Sequence, residues 1–301
     1  MVMVLDEAAV RRVLGWETLI AAMEAALAAF SAGRVLQPVR EMLTIEEGRR
    51  YLGVMPAVAE EAMGLKLVSF YAGNAERDLP THMAIVVLFG TATGEPLAVM
   101  DGRLITEMRT AAVSAAATRH LAAPDAHVLA LLGSGVQAAA HLAALKEVRP
   151  IDEVRVWSRT RAHAERFAAA HGAVALEAEA AVRGADIVVT ATSAVAPILF
   201  GAWLKPGCHV NAVGAPRPNW RELDDAAMAN LVIVDSRAAA AKEAGDVILS
   251  GAAIHAEIGE IFAGTKTVPA GATTVFKSLG LAVEDIAASK LVYDAVTAEA
   301  T

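Results

Sequence analysis

The chain has 301 residues, of which 55% are hydrophobic, and its 34 acidic and 26 basic side chains give a net charge of −8. This length allows one large domain or two ordinary ones, and an acidic chain without a dense basic stripe argues against nucleic-acid binding. We find no apolar run of membrane-spanning length and no signal-peptide pattern in residues 1–6, so we expect a cytoplasmic protein with no membrane partner. A single cysteine, Cys208, excludes an internal disulfide, and the eight histidines show no metal-ligand spacing, so we expect no metal.

The first third of the chain has the pattern of an α+β domain. Asp6 can cap a short helix, and apolar residues at helical spacing predict a helix over residues 16–30. Strand-like segments follow at 51–55, 65–71, 83–89 and 96–100, and a Thr93-Gly94 turn joins the last two as in a hairpin. A helix over 106–121 then leads into the second part.

The middle of the chain alternates between apolar strands and helices. We predict strands at 128–132, 154–157, 174–176, 187–190, 209–213 and 231–234, with helical stretches between most of them. Such alternation predicts an α/β fold with a Rossmann-type, doubly wound parallel sheet that binds its ligand at the carboxyl ends of the strands. A last helix over 278–296 could fold back onto the first domain.

One glycine-rich turn carries the strongest functional signal. The strand 128–132 runs directly into Gly133-Ser134-Gly135-Val136-Gln137-Ala138, and an alanine-rich helix follows. In a dinucleotide-binding fingerprint, the first glycine permits the turn, the second lets the backbone approach a pyrophosphate, and the small third residue allows close packing. The free amides of the helix N-terminus bind the diphosphate. An ordinary strand–helix turn is the alternative.

The residues after the next strand indicate which cofactor is bound. NAD-binding domains usually carry an acidic residue about 20 residues beyond the glycines to bind the ribose hydroxyls. Here the strand ends in Ser158-Arg159-Thr160, without a carboxylate. A guanidinium can pair with a 2′-phosphate, so we predict NADPH in preference to NADH, although a solvated arginine at a strand end is also common.

Three basic residues lie in apolar surroundings in the first part of the chain. Lys66 alternates with Val68 and Phe70, Arg109 precedes a run of small residues, and Arg40 follows Pro38-Val39. Together they would suit a small anionic substrate such as an α-carboxylate. Taken singly, each is more often a surface residue whose charge reaches solvent.

At these residues the chain resembles the ornithine cyclodeaminase/mu-crystallin family over nearly its whole length. The resemblance rests on ordered motifs: Gly-Val-Met-Pro at 53–56, Lys-Leu-Val at 66–68, Pro-Thr-His at 80–82, Leu-Ala-Val-Met-Asp-Gly at 97–102, Arg-Thr-Ala-Ala at 109–112, the glycine turn at 133–138, Asn-Ala-Val-Gly at 211–214, Trp-Arg-Glu-Leu at 220–223, Glu-Ala-Gly-Asp at 243–246 and Thr-Val-Phe-Lys-Ser at 274–278.

The resemblance implies a substrate-binding and dimerisation domain at 1–116, completed by 279–301, beside a Rossmann domain at 117–278. It also implies a homodimer. It makes Arg40, Lys66 and Arg109 the residues that bind the substrate carboxylate, with Lys66 and Arg109 in the catalytic group. It implies cofactor contacts at His82, Gly133, Ser134, Gly135, Val136, Gln137, Ser158, Arg159, Thr160, Thr192, Val213 and Ser278.

One departure from the family pattern separates its branches. Ornithine cyclodeaminases carry an acid–base aspartate two residues after the glycine of Asn-Ala-Val-Gly, where this chain has Pro216. Proline has no side-chain acid or base, which makes cyclodeamination doubtful.

The leading hypothesis is therefore an NADPH-dependent reductase of cyclic ketimines with an α-carboxylate, of the piperideine- or pyrroline-2-carboxylate type, which forms cyclic amino acids. Ornithine cyclodeaminase and an alanine-dehydrogenase-like enzyme are the alternatives within the enzyme class. A small-ligand binding protein of thyroid-hormone type, or a structural protein, is the alternative outside it.

Overall fold

The computed structural model describes residues 2–77 and 79–299, and it divides into two units. The first comprises Met1–Arg109 and Leu281–Thr301, and the second comprises Thr110–Gly280. The family resemblance implies boundaries after residues 116 and 278. The division after residue 109 falls inside a helix, Gly102–Leu121, so the chain passes from one unit to the other without a linker.

The first unit is built on a mixed sheet in the order β1-β6-β5-β4-β3-β2, antiparallel except for the pairing of β1 with β6. Its elements are β1 (Met3–Leu5), α1 (Glu7–Val13), α2 (Trp16–Ser31), β2 (Glu41–Glu46), β3 (Arg50–Val58), β4 (Met63–Tyr71), a 3₁₀ turn (Ala72–Arg77), β5 (His82–Phe89), β6 (Pro96–Asp101) and α3 (Gly102–Leu121). Asp6 caps α1 as expected, because its Oδ1 accepts a hydrogen bond from the Ala9 amide at 2.9 Å.

The second unit contains a wholly parallel sheet in the order β13-β12-β14-β11-β10-β7-β8-β9. Its elements are β7 (Val128–Leu132), α4 (Val136–Lys146), β8 (Glu153–Trp157), α5 (Arg161–His171), β9 (Val174–Ala175), α6 (Ala178–Val182), β10 (Ile187–Thr190), a 3₁₀ turn (Gly201–Trp203), β11 (His209–Ala212), α7 (Asp225–Met228), β12 (Leu231–Val234), α8 (Arg237–Glu243), α9 (Gly245–Ser250), β13 (Ile254–Glu257), α10 (Ile258–Phe262) and β14 (Thr274–Lys277). The predicted doubly wound α/β fold is confirmed.

The C-terminal helix α11 (Ala282–Glu299) belongs to the first unit, where it packs against α2, β3, β4 and β5. The sequence pattern predicts a start at residue 278, which is four residues before the observed start. The reason is Asp235, whose Oδ2 accepts hydrogen bonds from the amides of Leu279 (2.5 Å) and Gly280 (2.8 Å). Gly280 also has a positive φ of 80°, so the helix begins only after it.

Within the described residues, no single helix is long and apolar enough to cross a membrane. Among the helices that the structure describes, only the pair α1 and α2 reaches the length and apolar composition of a membrane span, and this pair is bent by 93° at the break between them.

Candidate functional site

The turn between β7 and α4 has the geometry that diphosphate binding needs. Gly133 has a φ of 125°, and a Cβ there would lie 2.6 Å from the Ala191 carbonyl oxygen, so glycine is required. A Cβ at Gly135 would meet nothing within 4 Å, so the turn is open at that point. Gly135 provides no side-chain cap for α4, which leaves the first amides of the helix available for an anion.

The side chains of Val136 and Gln137 directly follow this turn. The Gln137 Oε1 atom is buried and has no hydrogen-bond partner among the described residues. Val136, the first residue of α4, is 56% exposed. An unsatisfied buried acceptor and an exposed apolar side chain next to free amides are features that a bound dinucleotide would explain.

Ser158, Arg159 and Thr160 follow the carboxyl end of β8, as the sequence predicts. Arg159 is exposed and forms no ion pair within the described part of the chain. The strand end itself carries no carboxylate. A phosphate on the ribose would therefore meet a positive charge and two hydroxyls there, whereas an unphosphorylated ribose would lack its usual acidic partner.

The segments after β10, β11 and β14 bring further predicted residues to the same edge of the parallel sheet. Thr192 follows β10, Val213 follows β11, and Ser278 follows β14. In a doubly wound sheet the ligand binds outside this edge. The residues of the second unit therefore fit a dinucleotide. His82, the remaining predicted cofactor contact, belongs to the first unit, where it starts β5 and contacts the ring of Phe70 at 4.8 Å between centroids.

A buried glutamate, Glu222, forms hydrogen bonds with both the loop after β10 and the loop after β11. Its Oε2 accepts hydrogen bonds from Thr190 Oγ1 (2.7 Å) and the Gly214 amide (2.9 Å). Its Oε1 accepts hydrogen bonds from the amide (2.7 Å) and hydroxyl (2.6 Å) of Thr192. Burial raises the pKa of Glu222, and the positive charge of Lys277 opposes that shift.

Pro216 lies on the loop after β11, which Glu222 binds through the Gly214 amide. It is exposed and follows Ala215, which has a positive φ of 51°. Because four donors already occupy the Glu222 carboxylate, that residue is not free to replace the aspartate that proline displaces. Pro216 thus places no side-chain acid or base at the position where the resemblance implies the cyclodeaminase aspartate.

In the first unit, Lys66 and Arg109 share one buried carboxylate. Lys66 Nζ lies 2.7 Å from Asp285 Oδ2, and Arg109 Nε donates to Asp285 Oδ1 at 2.9 Å. Arg109 also donates to Glu284 Oε2 at 2.5 Å through its Nη1 atom. The side chains of Glu284 and Asp285 are inaccessible to solvent, and Lys66 and Arg109 are 2% and 4% exposed as residues.

This arrangement changes the titration of both basic residues. Burial lowers the pKa of Lys66 to about 8, with a smaller contribution from the charges of Arg109 and Arg40, and Asp285 opposes the shift. Asp285 and Glu284 together raise the pKa of Arg109 in spite of its burial. Arg109 is thus permanently charged, and Lys66 can exchange a proton near neutral pH.

The carboxylates that pair with these cations are not among the site residues predicted from the sequence. Glu284 and Asp285 occupy the first turn of α11, between Val283 and Ile286, and Glu284 Oε1 accepts a hydrogen bond from the Leu281 amide at 3.0 Å. Two adjacent acidic residues in an apolar stretch are a signal of buried pairing. That signal could have identified them. Arg40, the third predicted cation, is half-buried and close enough to Lys66 to lower its pKa.

Comparison with known proteins places the chain in a family. The model of the ornithine cyclodeaminase/mu-crystallin family matches residues 1–300. The chain belongs to this family. It is 54% identical to the ketimine reductase mu-crystallin of Rattus norvegicus over 285 residues, which cover 92% of this chain and 91% of the relative.

Two solved structures of this fold also match the whole chain. One is the Thermococcus litoralis Δ1-pyrroline-2-carboxylate reductase in complex with NADH and L-proline, with a TM-score of 0.94, 33% identity, and coverage of 99% of this chain and 98% of that one. The other is an archaeal alanine dehydrogenase dimer with bound NAD, with a TM-score of 0.93, 32% identity, and coverage of 100% and 97%.

Proposed function

We propose that this family member is an NAD(P)H-dependent oxidoreductase that reduces cyclic ketimines carrying an α-carboxylate, of the piperideine- or pyrroline-2-carboxylate type, to cyclic amino acids. The observation that carries the proposal is the pair of buried cations, Lys66 and Arg109, fixed on Asp285. The similarity to a ketimine reductase and to a pyrroline-2-carboxylate reductase supports the same reaction class.

The buried cations suit a small carboxylate for an electrostatic reason. A carboxylate that binds beside nearly inaccessible charges loses its water, and the attraction between the charges is much stronger than in solvent. Arg109 offers a planar guanidinium whose direction is set by Glu284 and Asp285. The proposal therefore assigns Arg109 to orienting the carboxylate, with Lys66 and Arg40 adding positive charge.

Reduction of an imine requires a hydride at carbon and a proton at nitrogen. When bound, a reduced nicotinamide supplies the hydride. Lys66 is the group in the first unit that suits proton transfer, because its pKa of about 8 lets it hold a proton at neutral pH and release it readily. After donating from Nζ, the lysine remains next to Asp285, which favours its reprotonation.

The Rossmann unit supplies the cofactor site in this proposal. The Gly133–Gly135 turn and the first amides of α4 would hold the diphosphate, and Ser158, Arg159 and Thr160 would hold the adenosine ribose. We propose NADPH as the preferred cofactor because of Arg159, even though the similar solved structures contain NADH or NAD.

The first prediction concerns this preference. NADPH should bind more tightly than NADH by about 1–3 kcal/mol if one charge-assisted pair holds the 2′-phosphate. Arg159→Ala should weaken NADPH binding and leave NADH binding almost unchanged. Fluorescence titration of both cofactors measures this, with Arg161→Ala, two residues further on, as a matched control. Equal affinities of the native protein for both cofactors would disprove the preference.

The second prediction concerns cyclodeamination. With Pro216 in place of the acid–base aspartate, we expect no appreciable conversion of ornithine into proline and ammonia, with either NAD or NADP present. Ammonia release is measured in a coupled assay, and Pro216→Asp is the informative companion variant. Stoichiometric ammonia from the native protein would make ornithine cyclodeaminase the better assignment.

We also propose a homodimer that forms through the sheet of the first unit. One face of that sheet carries apolar side chains that are open to solvent, among them Val4 (80% exposed), Leu43 (46%), Met83 (40%) and Ile85 (45%). The register aligns Leu67 with Ile85 and Val99 with Val4, so the apolar side chains extend across neighbouring strands. An apolar surface of this kind is typical of a permanent interface, and the similar archaeal alanine dehydrogenase is a dimer.

The experiment that tests the function is NADPH oxidation against cyclic ketimines, with 2-oxo acids plus amines in parallel. Turnover of the cyclic substrates supports the proposal. Turnover only of pyruvate with ammonia would favour an alanine-dehydrogenase-like enzyme, to which the solved archaeal relative gives some support. Cofactor binding without any turnover would instead favour a ligand-binding protein.

A further inference from the structure

A network of buried charges lies behind the loops at the carboxyl edge of the parallel sheet. Glu222, Asp246 and Lys277 are inaccessible to solvent, and all three belong to the second unit. Buried charges cost free energy unless each is paired and hydrogen-bonded. The backbone groups that these three side chains bind therefore indicate which part of the fold the network stabilises.

The contacts of Glu222 are specific for a carboxylate. Each of its oxygens accepts one backbone amide and one hydroxyl, from Thr192 at Oε1 and from Gly214 and Thr190 at Oε2. A glutamine at this position would have to turn its NH₂ group toward one of the two backbone amides, in either orientation. Two donors would then face each other, so the amide cannot reproduce the native contacts.

Lys277 and Asp246 extend the same network. Lys277 Nζ donates to the Gly214 carbonyl oxygen at 2.5 Å and lies 2.9 Å from Asp246 Oδ2. Asp246 Oδ1 accepts the amides of Glu222 at 2.8 Å and Leu223 at 2.9 Å. Both backbone groups of Gly214 are thus bound to buried charged side chains, and the Glu222 backbone is itself anchored.

The packing around Gly214 leaves this loop little freedom. A Cβ at Gly214 would lie 2.2 Å from the Thr192 carbonyl oxygen and 2.4 Å from Glu222 Oε1. The loops after β10 and β11 therefore contact one another directly, and the carboxylate joins them from behind. Thr192 and Val213, which are proposed cofactor contacts, lie on these two loops.

We propose that Glu222 is a positioning residue for the cofactor: it holds the Thr192 and Val213–Gly214 loops in the single arrangement that orients the nicotinamide for hydride transfer. This inference rests on the proposed function. Glu222 acts through the loops, because its own oxygens are fully occupied by Thr190, Thr192 and Gly214. A displacement of a reacting group by about 1 Å can reduce a rate roughly a hundredfold.

The test compares Glu222→Gln with the milder Thr190→Val, which removes one of the four donors. The control is Asp224→Ala, which removes the hydrogen bonds that Asp224 accepts from Gly201 and Ala227 in the same segment. For each full-length variant we would measure melting temperature, the Kd of NADPH by fluorescence, KM and kcat, and the kinetic isotope effect with NADPH deuterated at the transferred position.

We expect Glu222→Gln to weaken NADPH binding about tenfold, to lower kcat by about a hundredfold, and to raise the isotope effect because hydride transfer becomes slower than product release. Thr190→Val should change these quantities in the same direction by a smaller factor. Asp224→Ala should lower the melting temperature and leave the Kd and the isotope effect at their native values.

The proposal is overturned if Glu222→Gln lowers only the melting temperature and the active fraction, with native Kd, KM and isotope effect. It is also overturned if Thr190→Val and Glu222→Gln both bind NADPH as the native protein does. A native protein that binds NADPH but reduces no ketimine would disprove the proposed function alone. The binding measurements would still decide the role of Glu222.

Discussion

Arg109→Ala is expected to abolish ketimine reduction and to destabilise the protein by about 3–5 kcal/mol, because it leaves the buried carboxylates of Glu284 and Asp285 without their main partner. Arg109→Lys keeps the charge but loses the planar fork. We expect this variant to remain folded and to raise KM for the imine strongly, while the Kd of NADPH stays close to native. Thermal melts, cofactor titration and steady-state kinetics on the same preparations measure the three effects.

The matched control for this prediction is Arg103→Lys. Arg103 lies on the same helix α3 and pairs with Glu7, but its side chain is 30% exposed. The Arg103→Lys variant should keep the native kcat, KM and Kd of NADPH. If Arg109→Lys lowers the melting temperature while the substrate constants stay native, Arg109 only ties α3 to α11 and does not bind the substrate.

The pH dependence of kcat/KM is the second large expected effect. Lys66 has a pKa of about 8, below its ordinary value, because burial and the charges of Arg109 and Arg40 outweigh the opposing effect of Asp285. The charged form that attracts a carboxylate and can donate a proton is therefore present below pH 8 and is lost above it. We expect kcat/KM to fall about tenfold for each pH unit well above 8.

Lys66→Met separates this effect from titration of the imine itself. The variant should have much lower activity. The part of the decline in kcat/KM at alkaline pH that Lys66 causes should disappear. The part that titration of the imine causes should remain, because it is common to both proteins. Lys290→Met, which removes a half-buried lysine of α11 that pairs with Asp294, is the control and should keep the native profile. An alkaline limb of the same shape and midpoint in Lys66→Met would exclude Lys66 as the titrating group.

The sequence predicted most of the second unit because buried parallel strands are continuous apolar runs. Strand β7 and the Gly133–Gly135 turn follow from local pattern alone. Strand β14 was missed because Thr274 and Lys277 look unsuited to a sheet interior. Their polar groups are satisfied by residues far away in sequence: Thr274 by His209 at 2.8 Å, and Lys277 by Gly214 and Asp246.

Part of the candidate site could be predicted from the sequence and part could not. Lys66 and Arg109 could be proposed from their apolar neighbours, because a cation on a buried face needs a partner. The identity of that partner could not be proposed, since Asp285 is separated from Arg109 by 176 positions. Edge strand β2 was also missed, because its residues are nearly all exposed and it begins and ends with glutamate.

The measurement that tests the central claim most directly is the initial rate of NADPH oxidation, followed at 340 nm, with piperideine-2-carboxylate and pyrroline-2-carboxylate, and with chromatographic identification of the product. We expect saturable turnover of at least one of these ketimines to its cyclic amino acid, and loss of that turnover in Arg109→Lys without loss of NADPH binding. Tight NADPH binding with no oxidation in the presence of either ketimine would contradict this expectation.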